Sequence, residues 1–323
     1  MRSHSAAIAA VILSATTIAG ACFAEAYPSK PIRLIVPSGA GSSPDARGRW
    51  LAEKLRVGLG QPIIVDNKPG ASSILGTLAT TQSRPDGYTI LLTHQGIMAL
   101  NPHLYSNLPY DPFKDLIAVS RLVVSPMILV VHPDVPARSV ADLVRLAKEK
   151  PGDLNFGSPG VGTPPHMAGE LFKRSAHIDV TNIAYKTAPA MLIDLLGGRV
   201  TYTFDGPAAV LSHIRAGTLR PLAVTSPKRL ASLPDVPTVA ETLPGFEYWA
   251  WMGICVPAGT PKEIVTRLSL ELNRILSSQE ARDWFADQGS EPIVETPEQF
   301  TAYIRKEHEY WGKIIREAGM KIE

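Results

Sequence analysis

Ile32-Arg33-Leu34-Ile35-Val36-Pro37 runs into Ser38-Gly39-Ala40-Gly41-Ser42-Ser43-Pro44-Asp45, and Leu154-Asn155-Phe156 runs into Gly157-Ser158-Pro159-Gly160-Val161-Gly162-Thr163-Pro164-Pro165-His166. Each stretch reads as a buried strand, a Gly/Ser loop, and a hydroxyl N-cap followed by proline at the first helical position. A helix start carries unpaired backbone N–H groups and the positive end of a dipole. A glycine-rich approach lets a ligand come close to those groups. One such unit is weak evidence of a site. Two, far apart in the chain, predict a small anion held between two lobes.

Outward from these units, strand and helix alternate. Residues 32–36, 63–65, 88–93, 154–156, 180–185, 200–204, 219–225 and 251–256 read as strands. Helices are expected over 43–59, 74–81, 139–148, 163–175, 188–196 and 211–216. Thr260-Pro261-Lys262-Glu263 and Thr296-Pro297-Glu298-Gln299 read as capping boxes with proline at the first helical position, opening the last long helices. Such alternation argues for α/β with mainly parallel sheets. The block 125–249 has a full set of strands and helices of its own. The final helices need a sheet to pack on, and the first block is the host. The expected organisation is therefore one lobe of 27–124 with 250–323 and a second of 125–249, with crossovers near 122–127 and 247–252. Ligands in open α/β sheets sit at the carboxyl ends of strands, where both Gly/Ser loops lie. The lobes then close on a ligand about hinges at the crossovers.

The chain has 323 residues, 45% of them hydrophobic, enough for two ordinary cores. Formal net charge is +2, and no basic run or aromatic-interleaved Lys/Arg stripe occurs, which argues against nucleic acid. Arg2 precedes an apolar run over 6–21, shorter than the ~20 residues of a membrane span. With Ala24-Glu25-Ala26 as the cleavage site, residues 1–26 read as a secretory signal and the periplasm as the destination. Cys22 after Ala19-Gly20-Ala21 leaves lipid attachment open as a second reading. Once the signal is removed, Cys255 is the remaining cysteine and has no partner for an internal disulfide. Within Ile254-Cys255-Val256 it reads as a small buried hydrophobe.

Motifs along the whole mature chain carry a resemblance. Tyr27-Pro28-Ser29-Lys30-Pro31-Ile32, Gly60-Gln61-Pro62, Asp66-Asn67-Lys68-Pro69-Gly70-Ala71, Pro85-Asp86-Gly87-Tyr88-Thr89 and Leu108-Pro109-Tyr110-Asp111-Pro112 come first. His166-Met167-Ala168-Gly169-Glu170-Leu171-Phe172, Asp194-Leu195-Leu196-Gly197-Gly198, Leu233-Pro234-Asp235-Val236-Pro237-Thr238 and Pro257-Ala258-Gly259-Thr260-Pro261 follow. In this order and spacing the chain resembles the solute receptors of tripartite tricarboxylate transporters, the Bug-type receptors. The resemblance implies an α/β, two-lobed periplasmic-binding-protein-like fold with two mixed, mainly parallel sheets, two crossovers and a ligand cleft between lobes. It implies a non-enzymatic, monomeric binder of a small organic carboxylate (di-, tri- or aromatic) that delivers it to inner-membrane permease subunits. Docking on a sensor kinase is the alternative partner. No cofactor and no metal are expected.

The candidate ligand contacts are Ser38, Gly39, Ser42 and Ser43 on the first loop, and Ser158, Gly162, Thr163 and His166 on the second. Gln95, Thr187 and Asp205 join them at other element ends. Ser38 stands where the family usually has an aromatic, and Gly41-Ser42-Ser43-Pro44 where it has Gly-Gly-Gly-Thr. The added hydroxyls suit a carboxylate oxygen or a bridging water; the other reading makes Ser42 and Ser43 helix caps. Asp45 reads as structural, in the first helical turn. His166 is read either as a cationic donor or as a local packing group. With Glu170 at i,i+4 it forms half a metal site, and nothing supplies the rest. Tyr185-Lys186-Thr187-Ala188 replaces the family's Tyr-Lys-Gly-Gly and narrows the pocket. Phe204-Asp205-Gly206-Pro207 stands where the family has Phe-Asp-Asn. Asp205 there accepts from a ligand hydroxyl, orients a water, or forms a turn. Trp249 and Trp251 near the second crossover read as core, with stacking on an aromatic ligand as the minority reading. Arg47 is expected to face solvent. The chain has no G-x-S-x-G elbow, and Gly160-Val161-Gly162 lacks the third glycine of a dinucleotide fingerprint, which argues against an enzyme. The departures place specificity in the first loop. Exchanging Ser42 and Ser43 for glycine is expected to change ligand preference more than folding.

Overall fold

The computed structural model describes residues 27–185 and 187–321; the expected export signal, Cys22 and Lys186 lie outside the described residues. The first sheet begins with β1 (Ile32–Val36), β2 (Ile63–Asn67), β3 (Thr89–His94) and β4 (Leu116–Pro126). The second holds β5 (Ile128–Val131), β6 (Asn155–Ser158), β7 (Thr181–Ala184), β8 (Tyr202–Asp205) and β9 (Arg220–Val224). The chain then returns to the first as β10 (Trp249–Pro257) and β11 (Glu291–Pro292). Spatial order is β11-β4-β10-β3-β1-β2 in one sheet and β7-β6-β8-β5-β9 in the other. The apolar run of β5, and that of β1 apart from Arg33, suit strands covered on both faces, and their aliphatic side chains are buried.

Both sheets are mixed, with four of six strands in the first and four of five in the second running the same way. β1 runs parallel to β2 and β3, and β6 to β7 and β8. β10 is antiparallel to β3 and β4, β11 to β4, and β5 to β8 and β9. The reason is topological. β5 and β10 each leave a crossover and run away from the hinge, as does the short β11, whereas β1 to β4 and β6 to β9 run towards it. The carboxyl ends of β1 to β4 and of β6 to β9 therefore face one inter-lobe space.

Helices cover the sheets: α1 (Ser43–Leu59), α2 (Ile74–Thr81), α3 (Asn101–Leu104), α4 (Val140–Glu149), α5 (Pro164–Ala176), α6 (Ala188–Leu196), α7 (Pro207–Arg215), α8 (Lys262–Leu276), α9 (Gln279–Ala286) and α10 (Pro297–Glu317). Local signals set most of their ends. Gly60, at φ +69°, stops α1 with its N–H on Arg56 O at 3.0 Å. Thr296 and Gln299 form the expected capping box of α10. The box expected at Thr260 does not form. Its hydroxyl turns back to Pro257 O at 2.7 Å, and Pro261, at ψ 140°, becomes the cap itself.

The hinge is narrow. Met127 alone separates β4 from β5, and Tyr248 precedes β10. Thr225, at the end of β9, binds both crossovers. Its N–H meets Met127 O at 2.9 Å and its Oγ1 accepts from Met127 N at 2.8 Å. The same hydroxyl donates to Tyr248 O at 2.7 Å, and Tyr248 N donates to Thr225 O at 3.1 Å. α10 then spans the two bodies. Phe300 and Ile304 pack with Trp251 in the first lobe, whereas Trp311, Ile314 and Ile315 join Phe156 and Phe172 of the second. Arg174 and Glu317 pair at its far end.

Candidate ligand-binding site

The first loop joins β1 to α1, and its hydroxyls hold its own shape. Ser42 is the N-cap; its Oγ accepts from Asp45 N at 3.3 Å and donates to Gly39 O at 2.7 Å. Ser38 Oγ lies 2.9 Å from Ser42 Oγ, and Ser38 O accepts from Asn67 Nδ2 at 3.1 Å. Asp45 is buried beneath the loop. Arg49 Nε at 3.0 Å, Gly41 N at 2.9 Å and Asn67 Nδ2 at 2.9 Å converge on its carboxylate. Hydrogen bonds from Arg49 first, then from the Gly41 N–H, hold its carboxyl down at about 2. Asp45 thus tethers the loop, as its expected structural role requires. Gly39 and Ser43 are exposed at the loop surface, and the N–H of Ser43 opens the first turn of α1.

The second loop joins β6 to α5. Ser158 is fully buried, and its hydroxyl donates to Asn182 Oδ1 at 2.9 Å. Thr163 is the N-cap residue, but its hydroxyl donates to Gly160 O at 2.6 Å instead of capping. Pro164 and Pro165 have no N–H, so His166 carries the first N–H of the helix. The side chain of His166 is buried, and its Nδ1 accepts from Gly162 N at 3.3 Å. Burial pushes its pKa down to about 4. With the ring neutral near pH 7, His166 fixes the loop by accepting a bond, the local packing role that the sequence also allows. Gly162, at φ +77°, also faces the first lobe, where a Cβ would come within 2.8 Å of Leu104 Cδ1.

The remaining candidates divide. Gln95 is buried, and its amide is committed within the protein, to Glu307 Oε2 at 2.8 Å and from Tyr248 OH at 2.8 Å. Gln95, an expected ligand contact, thus bridges the end of β3 to the second crossover. Thr187 is exposed and caps α6, accepting from Ala190 N at 3.4 Å. Asp205 ends β8, partly buried, with Gly206 N on Oδ1 at 2.7 Å. Arg47 does not face solvent. It is buried, its Nη2 donating to Ser125 Oγ at 3.1 Å and to Ser290 Oγ at 3.0 Å, and it fastens α1 to the hinge end of β4. Desolvation pulls its pKa down to about 10, so it keeps its charge. Trp251 is core, edge-on to Phe300 at 5.5 Å.

Two features have no counterpart in the sequence reading. Ala71, Ser72 and Ser73 all adopt left-handed backbone, at φ 45°, 49° and 73°. This costs energy in residues with a Cβ. Asn101 Nδ2 on Ser72 O at 3.0 Å and Ser73 Oγ on Pro37 O at 3.2 Å hold the turn beside the first loop. No glycine marks these positions, so no sequence signal announces them. Ser73 Oγ also lies 2.9 Å from His94 Nε2, a contact that invites a nucleophile–base reading. The tautomer opposes it. His94 Nδ1 accepts from Gly96 N at 3.0 Å, so a neutral ring carries its proton on Nε2 and donates to Ser73.

Two glycine-bearing loops thus stand at strand ends of separate sheets, facing each other across a two-strand hinge. The family described as tripartite tricarboxylate transporter family receptor matches residues 48–320. The chain belongs to this receptor family. The receptor is 36% identical to Protein BugT of Bordetella pertussis over 319 residues, 98% of each chain. Its fold is similar to that of R. palustris Rpa4515 with adipate, with a TM-score of 0.84, 34% identity, and coverage of 91% of this chain and 99% of that one. MatC of Rhodopseudomonas palustris with bound malate is similar at a TM-score of 0.78 and 26% identity, over 90% of this chain and 100% of that one. The family match spans the receptor's second loop and opens just after its first.

Proposed function

We propose that this receptor captures a small organic carboxylate in the periplasm and delivers it, without turnover, to the permease subunits of a tripartite tricarboxylate-type transporter. The observation that carries this reading is the pairing of two helix N-termini, α1 and α5, each approached by a glycine-bearing loop and each on its own lobe. Backbone N–H groups and two dipole ends suit carboxylate oxygens without a cationic side chain. The loop hydroxyls of Ser42 and Thr163, spent on Gly39 O and Gly160 O, set the loops' shape before a ligand arrives. Gly39, Ser43 and the N–H of His166 are then the contacts, the Gly162 N–H being spent on His166 Nδ1. The bound adipate and malate of the structural relatives support the ligand class. Calorimetric titration of the purified protein with di-, tri- and aromatic carboxylates tests it. Binding of at least one is expected; a folded protein that binds none of them overturns the proposal.

A further inference from the structure

Polar side chains at the strand ends differ in how much of their bonding capacity the protein uses. Asn67, ending β2, donates to Ser38 O and Asp45 and accepts from Arg49. His94, ending β3, is bonded at both ring nitrogens. Ser158, ending β6, donates to Asn182. Asp205, ending β8, is the exception. Gly206 N–H reaches Oδ1 at 2.7 Å, and Oδ2 has no partner among the described residues. A carboxylate has about four lone-pair positions, so most of this one's capacity is unused. Oδ2 is not among the sealed, unpaired atoms of the interior.

The position is also specific. Asp205 lies opposite Ile128, the residue that follows Met127 at the first crossover. Two residues on, Pro207 is met by the first lobe, since a Cβ on Gly289 would lie 2.6 Å from Pro207 Cβ. Asp205 therefore sits where the lobes join, at the base of the space between the loops. Burial pushes its carboxyl up to about 6, as expected of a negative charge without compensation.

The two loops present donors, which suit carboxylate oxygens. Ionised Asp205 presents lone pairs, which repel them. A ligand that reaches all three needs acceptor oxygens for the loops and a donor for Asp205. We propose that Asp205 is a specificity-determining residue of this receptor, selecting among small carboxylates those with a hydroxyl or ammonium group on the carbon beside a carboxylate. This rests on the carboxylate-binding reading above. Gly206 sharpens the requirement. Where the family's motif has an asparagine amide, this chain has no side chain, and the donor comes from the ligand.

Calorimetry at about pH 7.5, where Asp205 is ionised, tests the proposal with matched ligands. Succinate is compared with malate and aspartate, and adipate with 2-hydroxyadipate and 2-aminoadipate. Within a series that binds, the substituted ligand is expected to bind about tenfold tighter or more, the discrimination that a hydrogen bond to a charged group supplies. Asp205→Ala should bring the ratio to within about threefold. Asp205→Asn keeps the shape and the Gly206 contact. It should retain preference for hydroxyl and lose preference for ammonium, and it serves if the alanine variant does not fold. Equal affinity for bare and substituted ligands overturns the assignment of Asp205 alone, as does a ratio that survives Asp205→Ala. Binding of none of the six overturns this assignment, and the carboxylate reading falls with it only if tri- and aromatic carboxylates also fail to bind.

Discussion

At the scale of single residues, the site spends its hydroxyls on geometry and leaves backbone N–H groups for the ligand. Ser42 and Ser43 separate these roles. Ser42→Ala removes the cap of α1 and should lower stability by about 1 kcal/mol, read from the midpoint of urea unfolding. Ser43→Ala, at an exposed first-turn position, should cost under roughly 0.5 kcal/mol and, keeping the N–H, leave ligand affinity near wild type, whereas Ser43→Pro removes that N–H and should weaken binding. Equal losses at both would refute the division. Glycine at both positions, expected to change ligand preference more than folding, carries a folding cost of its own, since the Ser42 cap and the Ser38–Ser42 contact go with it. His166 makes a pH prediction. Its folded pKa of about 4 lies below the ordinary 6.5, so its contribution to stability is full above pH 6.5. That contribution is lost as pH falls through 4, by up to about 3 kcal/mol. His166→Asn keeps an acceptor for Gly162 N. Urea unfolding at pH 7 and 4.5 should show a larger acid-dependent loss in the wild type than in the variant, which keeps the buried His94, likewise pushed down to about 4. The residue types at these positions were legible in the sequence, but their orientation was not. Nothing in Ser-Pro-Gly-Val-Gly-Thr says that Ser158 turns inward to Asn182 or that Thr163 donates to Gly160 O.

At the scale of elements, the strand–loop–helix units were read almost to the residue. β1 and α1 lie where the apolar run, the Ser42 cap and Pro44 place them. Such signals are local, and local hydrogen bonds decide them. The failures are places where a local signal meets a competitor, as at Thr260, whose hydroxyl finds Pro257 O first. Packing distances between elements are not local, and the sequence does not carry them. Gly169 is the clearest case. A Cβ there would stand 2.3 Å from Phe156 Cε2, so α5 lies directly on the ring at the start of β6. Gly169→Ala should therefore lower stability by about 1–3 kcal/mol through overpacking. Because α5 carries the second loop, ligand affinity should fall with it. Differential scanning fluorimetry and titration of the same sample check both. An unchanged melting temperature would mean that the contact relaxes freely.

At the scale of the molecule, alternation and two apolar crossovers made the two-lobed fold legible, and Met127 and Tyr248 fall inside the expected crossover windows. What ties the crossovers together was not legible, since one threonine among 323 residues carries no mark. Thr225→Val leaves Met127 N–H and Tyr248 O without their side-chain partner in a buried hinge. It should cost about 2–4 kcal/mol, whereas Thr225→Ser should be near wild type. Chemical denaturation of both variants decides this, and a mild valine variant would show that backbone bonds alone hold the hinge. The double role of α10 was equally hidden. Phe300, Ile304, Trp311 and Ile315 mark an apolar stripe, and a stripe does not say which lobe it covers.

That last helix bears on the order in which the protein can be built. The first sheet has β10 between β3 and β4, and the second lobe's core includes Trp311, Ile314 and Ile315. A chain growing from its N-terminus has all five strands of the second sheet by residue 224, yet lacks the aromatic and aliphatic side chains that close its core. The first sheet meanwhile stays split, with β3 and β4 unable to pair through a strand not yet made. Neither half is complete until nearly the whole polypeptide is present. The protein's final turns thus act as a single completion step, shared by both lobes, that withholds the native state from every shorter fragment.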